Sequence, residues 1–128
     1  MNRRGFLRTA AISAGAFVFG RTQSAIAAAP KKIVKLSKFP VGSAQKFVAA
    51  NGAPAYLFRT KAGVFAYSAI CTHQGCTVEY LKAGKKLVCP CHLGSFDPFK
   101  SGRVVSGEPE RPLDKISVSI KSDWIVQP

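Results

Sequence analysis

The chain has 128 residues, of which 47% are hydrophobic, and a formal net charge of +13. This length leaves room for one domain with an ample core, and no internal repeat or long linker divides it, which excludes an array of domains. The excess of basic side chains favours electrostatic steering toward an acidic partner or an anionic surface. The lysines are spread along the chain and form no recognition element, which argues against a nucleic-acid partner.

The first residues resemble an export signal. Residues 2–8 read Asn-Arg-Arg-Gly-Phe-Leu-Arg, which is typical of a twin-arginine signal. An uncharged stretch from Thr9 to Gly20 follows, and then the small residues Ala25-Ile26-Ala27 that a signal peptidase accepts. We expect a signal peptide of residues 1–27 and a mature periplasmic chain of residues 28–128. Because this segment carries four arginines, cleavage lowers the net charge from +13 to +9.

The alternative for this segment is an uncleaved membrane anchor. Its uninterrupted apolar run before Arg21 is only 12 residues long, whereas a helix needs about 20 apolar residues to span a bilayer. The length therefore favours cleavage, and we expect membrane association only if the signal is retained. The twin-arginine pathway exports proteins that have already folded in the cytoplasm.

The body of the chain predicts short antiparallel strands and no helix. Asn51-Gly52 is a strong hairpin signal, and further turns are predicted at residues 61–63 and 84–86. The last predicted strand alternates polar and apolar side chains strictly, as a strand with one buried face does. The predicted strands are residues 45–50, 53–59, 64–69, 87–88 and 115–120. Two of them lead directly to a cysteine, and the fold class is predicted to be all-β.

The chemistry-bearing residues lie in two short motifs, Cys71-Thr72-His73 and Cys89-Pro90-Cys91-His92, separated by 15 residues. Each motif supplies one thiolate and one imidazole. Ligands divided in this way fit an asymmetric [2Fe-2S] centre, in which two cysteines bind one iron and two histidines the other. Tetrahedral zinc accepts the same ligands, but usual zinc modules put two cysteines in one knuckle and two histidines in the other. The division therefore favours the iron-sulfur centre over zinc.

This pattern, C-x-H followed by C-x-x-H with an extra cysteine in each loop, resembles the Rieske iron-sulfur family and specifically its cytochrome bc-type members. A looser resemblance runs from about Lys32 to Val126. It includes Gly107-Glu108-Pro109, which is similar to the family's proline-containing third loop over the cluster. The resemblance implies a Rieske-type antiparallel β base with a small inserted cluster-binding subdomain at about residues 70–99.

The resemblance also implies the role of each site residue. The metal ligands would be Cys71, His73, Cys89 and His92, with both cysteines on a buried iron and both histidines on an outer iron at the surface. Cys76 and Cys91 would form a disulfide between the two cluster loops, the alternative being two buried free thiols. Disulfides persist in the periplasm, which agrees with export. The residues expected around the cluster are Gly94, Ser95, Phe96 and Pro109.

The second loop departs from the family pattern H-G-S-x-Y-D. Gly94 replaces the serine and Phe96 the tyrosine, whose hydroxyls in the family donate hydrogen bonds to cluster and ligand sulfur. Because such bonds raise the reduction potential, we expect a potential below that of quinol-oxidising bc-type relatives. Ser95 offers an alternative hydroxyl one position later. Gly94→Ser and Phe96→Tyr are each expected to raise the potential by on the order of tens of millivolts.

A [2Fe-2S] centre passes one electron at a time, and no nucleophile or general base can be read beside it. The sequence therefore predicts an electron-transfer protein or subunit of an oxidoreductase. One hypothesis is a soluble exported Rieske protein or small electron-transfer subunit, since residues 92–98 also resemble the arsenite oxidase small subunit. The excess of basic side chains predicts that its protein redox partner has an acidic docking surface. The other is the membrane-tethered quinol-oxidising subunit of a cytochrome bc complex.

Overall fold

A computed structural model describes residues 29–128 together with Gly15, so the predicted signal peptide lies outside the described residues apart from that glycine. Within residues 29–128 the chain forms short strands and a 3₁₀ turn at Leu36–Lys38. The strands are β1 (Lys31–Lys35), β2 (Ala44–Val48), β3 (Pro54–Thr60), β4 (Gly63–Ser68), β5 (Glu79–Leu81), β6 (Lys86–Val88), β7 (Ser95–Asp97), β8 (Arg103–Ser106), β9 (Lys115–Ile116), β10 (Ser119–Lys121) and β11 (Trp124–Gln127). No helix in this part of the chain has the length and apolar character to cross a membrane.

The strands form three antiparallel sheets, which confirms the predicted fold class. The first sheet has the order β1-β11-β10, the second β2-β3-β4-β9 and the third β5-β6-β7-β8. The first two sheets make the base. The chain leaves the base after β4, builds the third sheet and returns at β9, so the third sheet is an insertion. It runs from Glu79 to Ser106 and includes a strand beyond the predicted range of residues 70–99.

The predicted hairpin at Asn51-Gly52 is confirmed. β2 and β3 pair with Phe47 opposite Ala55, and the Asn51 side-chain oxygen accepts a hydrogen bond of 3.0 Å from the backbone N–H of Ala53. Gly52 has a φ of +83°, a left-handed conformation that glycine adopts without strain. The turn is closed by a hydrogen bond of 2.8 Å from the Ala49 N–H to the Ala53 carbonyl.

The single strand predicted at residues 115–120 is wrong. β9 and β10 belong to different sheets, with Ile116 opposite Ala66 of β4 and Ile120 opposite Ile125 of β11. Ile116 and Val118 both pack against the base core. Side chains two residues apart on an extended chain point to the same side, so both reach the base core although the chain changes sheets after Ile116.

Two hydrophobic cores lie on the opposite faces of β3 and connect the base to the inserted sheet. Leu57 and Phe58 are neighbours on β3 and point to opposite faces, yet both are almost fully buried. Leu57 packs in the base core, whereas Phe58 belongs to a second core that contains Cys71 and Cys89. The Phe58 ring lies 5.1 Å from that of Tyr80 on β5. The two buried cysteines are therefore positioned by aromatic packing that begins in the base.

A polar network also links the two parts. The Tyr56 hydroxyl donates to Glu79 Oε2 at 2.7 Å and accepts a bond of 3.3 Å from the backbone N–H of Tyr80. Lys46 Nζ donates to the other Glu79 oxygen at 3.0 Å. The bond from Tyr56, followed by that from Lys46, lowers the pKa of the Glu79 carboxyl. The ionised carboxylate is thus stabilised only in the folded protein.

A Glu79→Gln variant is expected to unfold a few degrees below the wild type at pH 7. The Glu79 carboxylate contributes about 0.5–1 kcal/mol to the free energy of unfolding. This is less than a buried charge-assisted hydrogen bond contributes, because the carboxylate is exposed to solvent. Because its pKa is lowered on folding, this stabilisation is present above the unfolded-state pKa and is lost as pH falls through the folded-state pKa. Melting curves from pH 7 to pH 3 should show the difference in melting temperature between Glu79→Gln and the wild type becoming smaller. Glu110 is an exposed acid outside the network, and Glu110→Gln should melt at the wild-type temperature throughout.

Candidate metal centre

Three loops meet at one end of the third sheet. The first contains Cys71 and Cys76 and is closed by a bridge between Ile70 and Thr77. The second connects β6 to β7 and spans residues 89–94. The third follows β8 and contains Gly107-Glu108-Pro109. Each loop is anchored by a strand or bridge, so the site is built on the sheet ends.

The first two loops repeat one backbone pattern. Cys71 N–H donates to the Cys76 carbonyl at 2.7 Å, and Gly75 N–H donates back to the Cys71 carbonyl at 3.0 Å. In the second loop Cys89 N–H donates to the Gly94 carbonyl at 2.8 Å, and Leu93 N–H donates to the Cys89 carbonyl at 2.9 Å. Cys71 and Cys89 therefore occupy the same position in two like loops. This explains why each motif contributes one thiol at one end of the site.

The two free thiols are buried. Cys71 is 3% exposed and Cys89 is 2% exposed, and both belong to the aromatic core. Burial raises the pKa of the Cys71 thiol, and the neighbouring Cys89 thiol raises it further, while the backbone N–H groups of the loop act in the opposite direction. Two thiols side by side in a buried site fit a metal that binds and deprotonates both. The donor set at this end is thus suited to an iron ion.

The two imidazoles lie at the outer end of the site. The rings of His73 and His92 are 5.1 Å apart, centroid to centroid, at an interplanar angle of 79°. His92 Nε2 is 2.9 Å from Gln74 Oε1, and His73 Nε2 is 3.2 Å from Glu108 Oε2. In the tautomer in which Nε2 carries the proton toward these oxygens, Nδ1 is the nitrogen left free to bind a metal. The outer end therefore offers two oriented nitrogen ligands.

The geometry argues against one tetrahedral ion bound by all four predicted ligands. Around a single zinc ion at about 2.0–2.3 Å, all ligand atoms lie within about 4 Å of one another. In residues 29–128 the groups whose ligand atoms all lie within 4.8 Å are His73 with His92 and Glu108, and Cys76 with Cys89 and Cys91. The four predicted ligands do not form such a group. The second group is unavailable to a metal because two of its members are joined in a disulfide.

The predicted disulfide between Cys76 and Cys91 is confirmed. It joins the first two loops across a sequence separation of 15 residues. These loops otherwise meet through the imidazoles and through the Gln74 to His92 hydrogen bond. The bond therefore holds the ligand positions of the two motifs together and restricts the unfolded chain.

The third loop is pressed against the second. A Cβ atom built on Gly94 would lie 2.8 Å from Pro109 Cδ, and one built on Gly107 would lie 2.5 Å from Gly94 Cα. Gly107 also has a φ of +93°. The expected test substitution Gly94→Ser is therefore unsuitable, because the serine Cβ would displace Pro109. Glycine at position 94 is required by this close approach, whatever its effect on the potential.

The other two expected neighbours of the cluster are buried at the start of β7, directly after the second loop. Ser95 is 5% exposed, and its hydroxyl lies 2.7 Å from that of Ser106 on β8. Phe96 is fully buried in the core shared with Cys71 and Cys89. The hydroxyl of Ser95 is thus engaged by a partner on β8.

Three further residues of the site were not assigned a role from sequence. Gln74 and Glu108 hold the two imidazoles, but their contacts cross between loops and leave no signal in the spacing. Leu93 follows His92, is 72% exposed and has a φ of +58°, an unusual conformation for leucine. Its position matches that of Gly75 in the first loop, so the repeated loop pattern could have identified it.

Comparison with known proteins gives consistent results. The Rieske [2Fe-2S] domain family matches residues 29–117. A protein assigned as a Rieske subunit of a respiratory nitrate reductase in Haloferax mediterranei is 47% identical over 62 residues, covering 48% of this chain and 28% of that protein. The cytochrome b6-f complex iron-sulfur subunit of a Synechococcus strain is 34% identical over 91 residues, covering 69% of this chain and 50% of that subunit. The chain thus spans half or less of the length of these relatives.

A solved structure agrees with the sequence relatives. The plasma membrane Rieske protein PetC3 from Synechocystis is similar with a TM-score of 0.56 and 28% identity, over 65% of this chain and 83% of that chain. Two buried thiols, two outer imidazoles and a disulfide between their loops fit the same cofactor. The chain belongs to the Rieske [2Fe-2S] domain family and binds one [2Fe-2S] cluster.

Proposed function

We propose that this protein transfers single electrons through a cluster held by Cys71, Cys89, His73 and His92. The observation that supports this most strongly is the division of the site into two buried thiols and two imidazoles nearer the surface. When bound, the [2Fe-2S] group supplies reversible one-electron chemistry. The buried cysteines would anchor it in the core, while the outer imidazoles give the shortest path to a partner.

The tip of the second loop supports docking of a protein partner. Leu93 presents a largely exposed apolar side chain beside His92, and its left-handed backbone costs on the order of 1 kcal/mol relative to glycine. An apolar contact next to an exposed ligand would bring the partner close to the electron exit. The relatives named above include subunits of larger redox complexes.

We propose further that the protein is exported by the twin-arginine pathway and serves as a small electron-transfer subunit or carrier with an acidic partner. The sequence of residues 1–27 and the mature charge of +9 support this. N-terminal sequencing of protein purified from the periplasmic fraction should begin at Ala28. A purified protein that still begins at Met1 and is found in the membrane would instead indicate the tethered form.

A second candidate is quinol oxidation in a cytochrome bc complex, which the similarity to the cytochrome b6-f subunit favours. A quinol hydroxyl would have to bond to an imidazole Nε2. Both Nε2 atoms already have partners, Gln74 on one side and Glu108 on the other. The site geometry therefore favours the electron-relay role over quinol binding.

The number of electrons that each protein molecule takes up tests the proposed electron-transfer function directly. Coulometric titration of the full chain should show one electron taken up per protein and returned to an external oxidant without loss of the cluster. Uptake of two electrons, or oxidation of a quinol by the protein alone, would contradict the proposal.

A Phe96→Tyr variant is expected to raise the reduction potential by on the order of tens of millivolts. The phenyl ring is buried with Cys71 and Cys89, so a hydroxyl added there can donate to sulfur and stabilise the extra electron. Protein-film voltammetry on the wild type and the variant gives the shift. Phe99→Tyr, a half-exposed position, adds the same atom away from the loops and should leave the potential unchanged. Equal potentials for Phe96→Tyr and the wild type would show that no sulfur is within reach.

A further inference from the structure

A groove of about 860 Å³ lies between the base and the third sheet. Its walls are the turn after β3 and the turn between β5 and β6. The strand register puts this groove at the end of the third sheet away from the cysteine loops. Val88 pairs with Ser95 beside those loops, whereas Lys86 and Asp97 lie at the other end of the same strands. An occupant of the groove would therefore leave His73 and His92 uncovered.

The walls of the groove are basic. Lys61, Lys82, Lys85 and Lys86 line it, and within residues 29–128 none of them makes an ion pair. The acidic lining residue, Asp97, accepts a hydrogen bond of 2.9 Å from the backbone N–H of Phe99. Four ammonium groups without carboxylate partners thus surround one concave surface, which is the pattern of a site for an anionic ligand.

The lining also includes apolar side chains. Phe99 is 42% exposed and Val41 is 52% exposed, and both line the groove with Tyr80. The ring of Phe99 packs edge-on against Phe58 at 5.6 Å, so the core fixes its position while part of its surface stays open. A rigid aromatic surface ringed by lysines suits a ligand that is both acidic and partly apolar.

Lys85 lies in the turn between β5 and β6 that forms one wall of the groove. Its φ is +51°, in the left-handed region that turns normally fill with glycine or asparagine. Lysine at this position costs conformational energy and adds a charge to the groove.

We propose that the groove binds an acidic segment of the redox partner, with carboxylates on the four lysines and one apolar side chain on Phe99. This rests on the proposed electron-transfer function and adds where the partner is held. A concave site suits an extended peptide, since a flat bilayer could not reach the groove lining. The partner would thus be tethered at the groove while the histidine edge stays free to exchange electrons.

The test uses the full-length protein with its cluster and a fluorescein-labelled peptide of ten Asp and Glu residues with one central Phe. In low salt, Lys82→Glu with Lys86→Glu should weaken binding in fluorescence anisotropy at least tenfold. Lys115→Glu with Lys121→Glu makes the same charge change outside the groove and should weaken it less than twofold. Lys85→Gly should weaken binding several-fold without lowering the melting temperature, since glycine suits the turn.

The apolar contact has its own control. Phe99→Ala should weaken binding of the Phe-containing peptide several-fold and leave binding of a peptide with Ala in its place unchanged. Equal weakening by the two lysine pairs would overturn the proposal, because binding would then follow net charge alone. Binding to phosphatidylglycerol vesicles through the same lysines, without peptide binding, would overturn it in favour of a lipid surface. Reduction of the cluster by dithionite tests the proposed electron-transfer function separately. A cluster that cannot be reduced would contradict that function, whatever the groove variants do to peptide binding.

Discussion

A Cys71→Ala variant is expected to contain no [2Fe-2S] cluster and to lose the visible absorption and the paramagnetic signal of the reduced protein. Cys71 and Cys89 supply the two free thiols at the buried end of the site, and the chain's other two cysteines are joined in the disulfide, so no further thiol can replace Cys71. Iron and sulfide analysis should give less than about a tenth of the wild-type content, since one missing thiolate leaves the inner iron under-coordinated. Export by the proposed twin-arginine pathway should also fall, because that pathway carries folded protein.

The disulfide cysteines provide the matched control. Cys91→Ser removes a sulfur from the same loop as Cys89, and the other half of the pair remains as a free thiol. The cluster should still be inserted, but it should be lost faster on exposure to air or chelator because the two loops are no longer tied. A stoichiometric cluster in the Cys71→Ala protein would contradict the ligand assignment.

A Gly107→Ala variant is expected to destabilise the loops around the cluster by about 2–4 kcal/mol. The new methyl group would lie 2.5 Å from Gly94 Cα, which is backbone and cannot move aside as a flexible side chain could. The φ of +93° adds the cost of a left-handed conformation. Together these should separate the third loop from the second, and the rate of cluster loss on heating should rise.

Gly42→Ala separates the two causes. Gly42 has nearly the same backbone angle, +92°, but no atom lies within 4 Å of the position of the added methyl group. It should therefore show only the backbone cost of about 1–2 kcal/mol and an unchanged rate of cluster loss at low temperature. If the two variants behave alike, the contact between Gly107 and Gly94 does not hold the loops together.

The parts of the site that depend on local spacing were predictable. Cys71 and His73 are two residues apart, and Cys89 and His92 three, so their proximity follows from chain geometry and the strands that precede them. The disulfide followed from the family resemblance. The Asn51-Gly52 turn is similarly local, and the hairpin that it predicts is present.

The parts that depend on contacts between distant segments were not predictable. The approach of Pro109 to Gly94 brings two loops together, and nothing in either loop alone shows that a serine at position 94 would clash. The break in residues 115–120 has the same origin, because alternation shows which side chains are buried but not against which sheet. Gln74 bonds to His92 and Glu108 lies 3.2 Å from His73 Nε2, and both contacts cross between loops.

Pulsed paramagnetic resonance of the reduced protein, grown with ¹⁵N-labelled histidine, tests the central assignment most directly. The chain contains two histidines, His73 and His92, and the account predicts strong coupling of the unpaired electron to one ligand nitrogen from each. A sample with no paramagnetic signal after reduction, or with a signal lacking histidine nitrogen coupling, would contradict it.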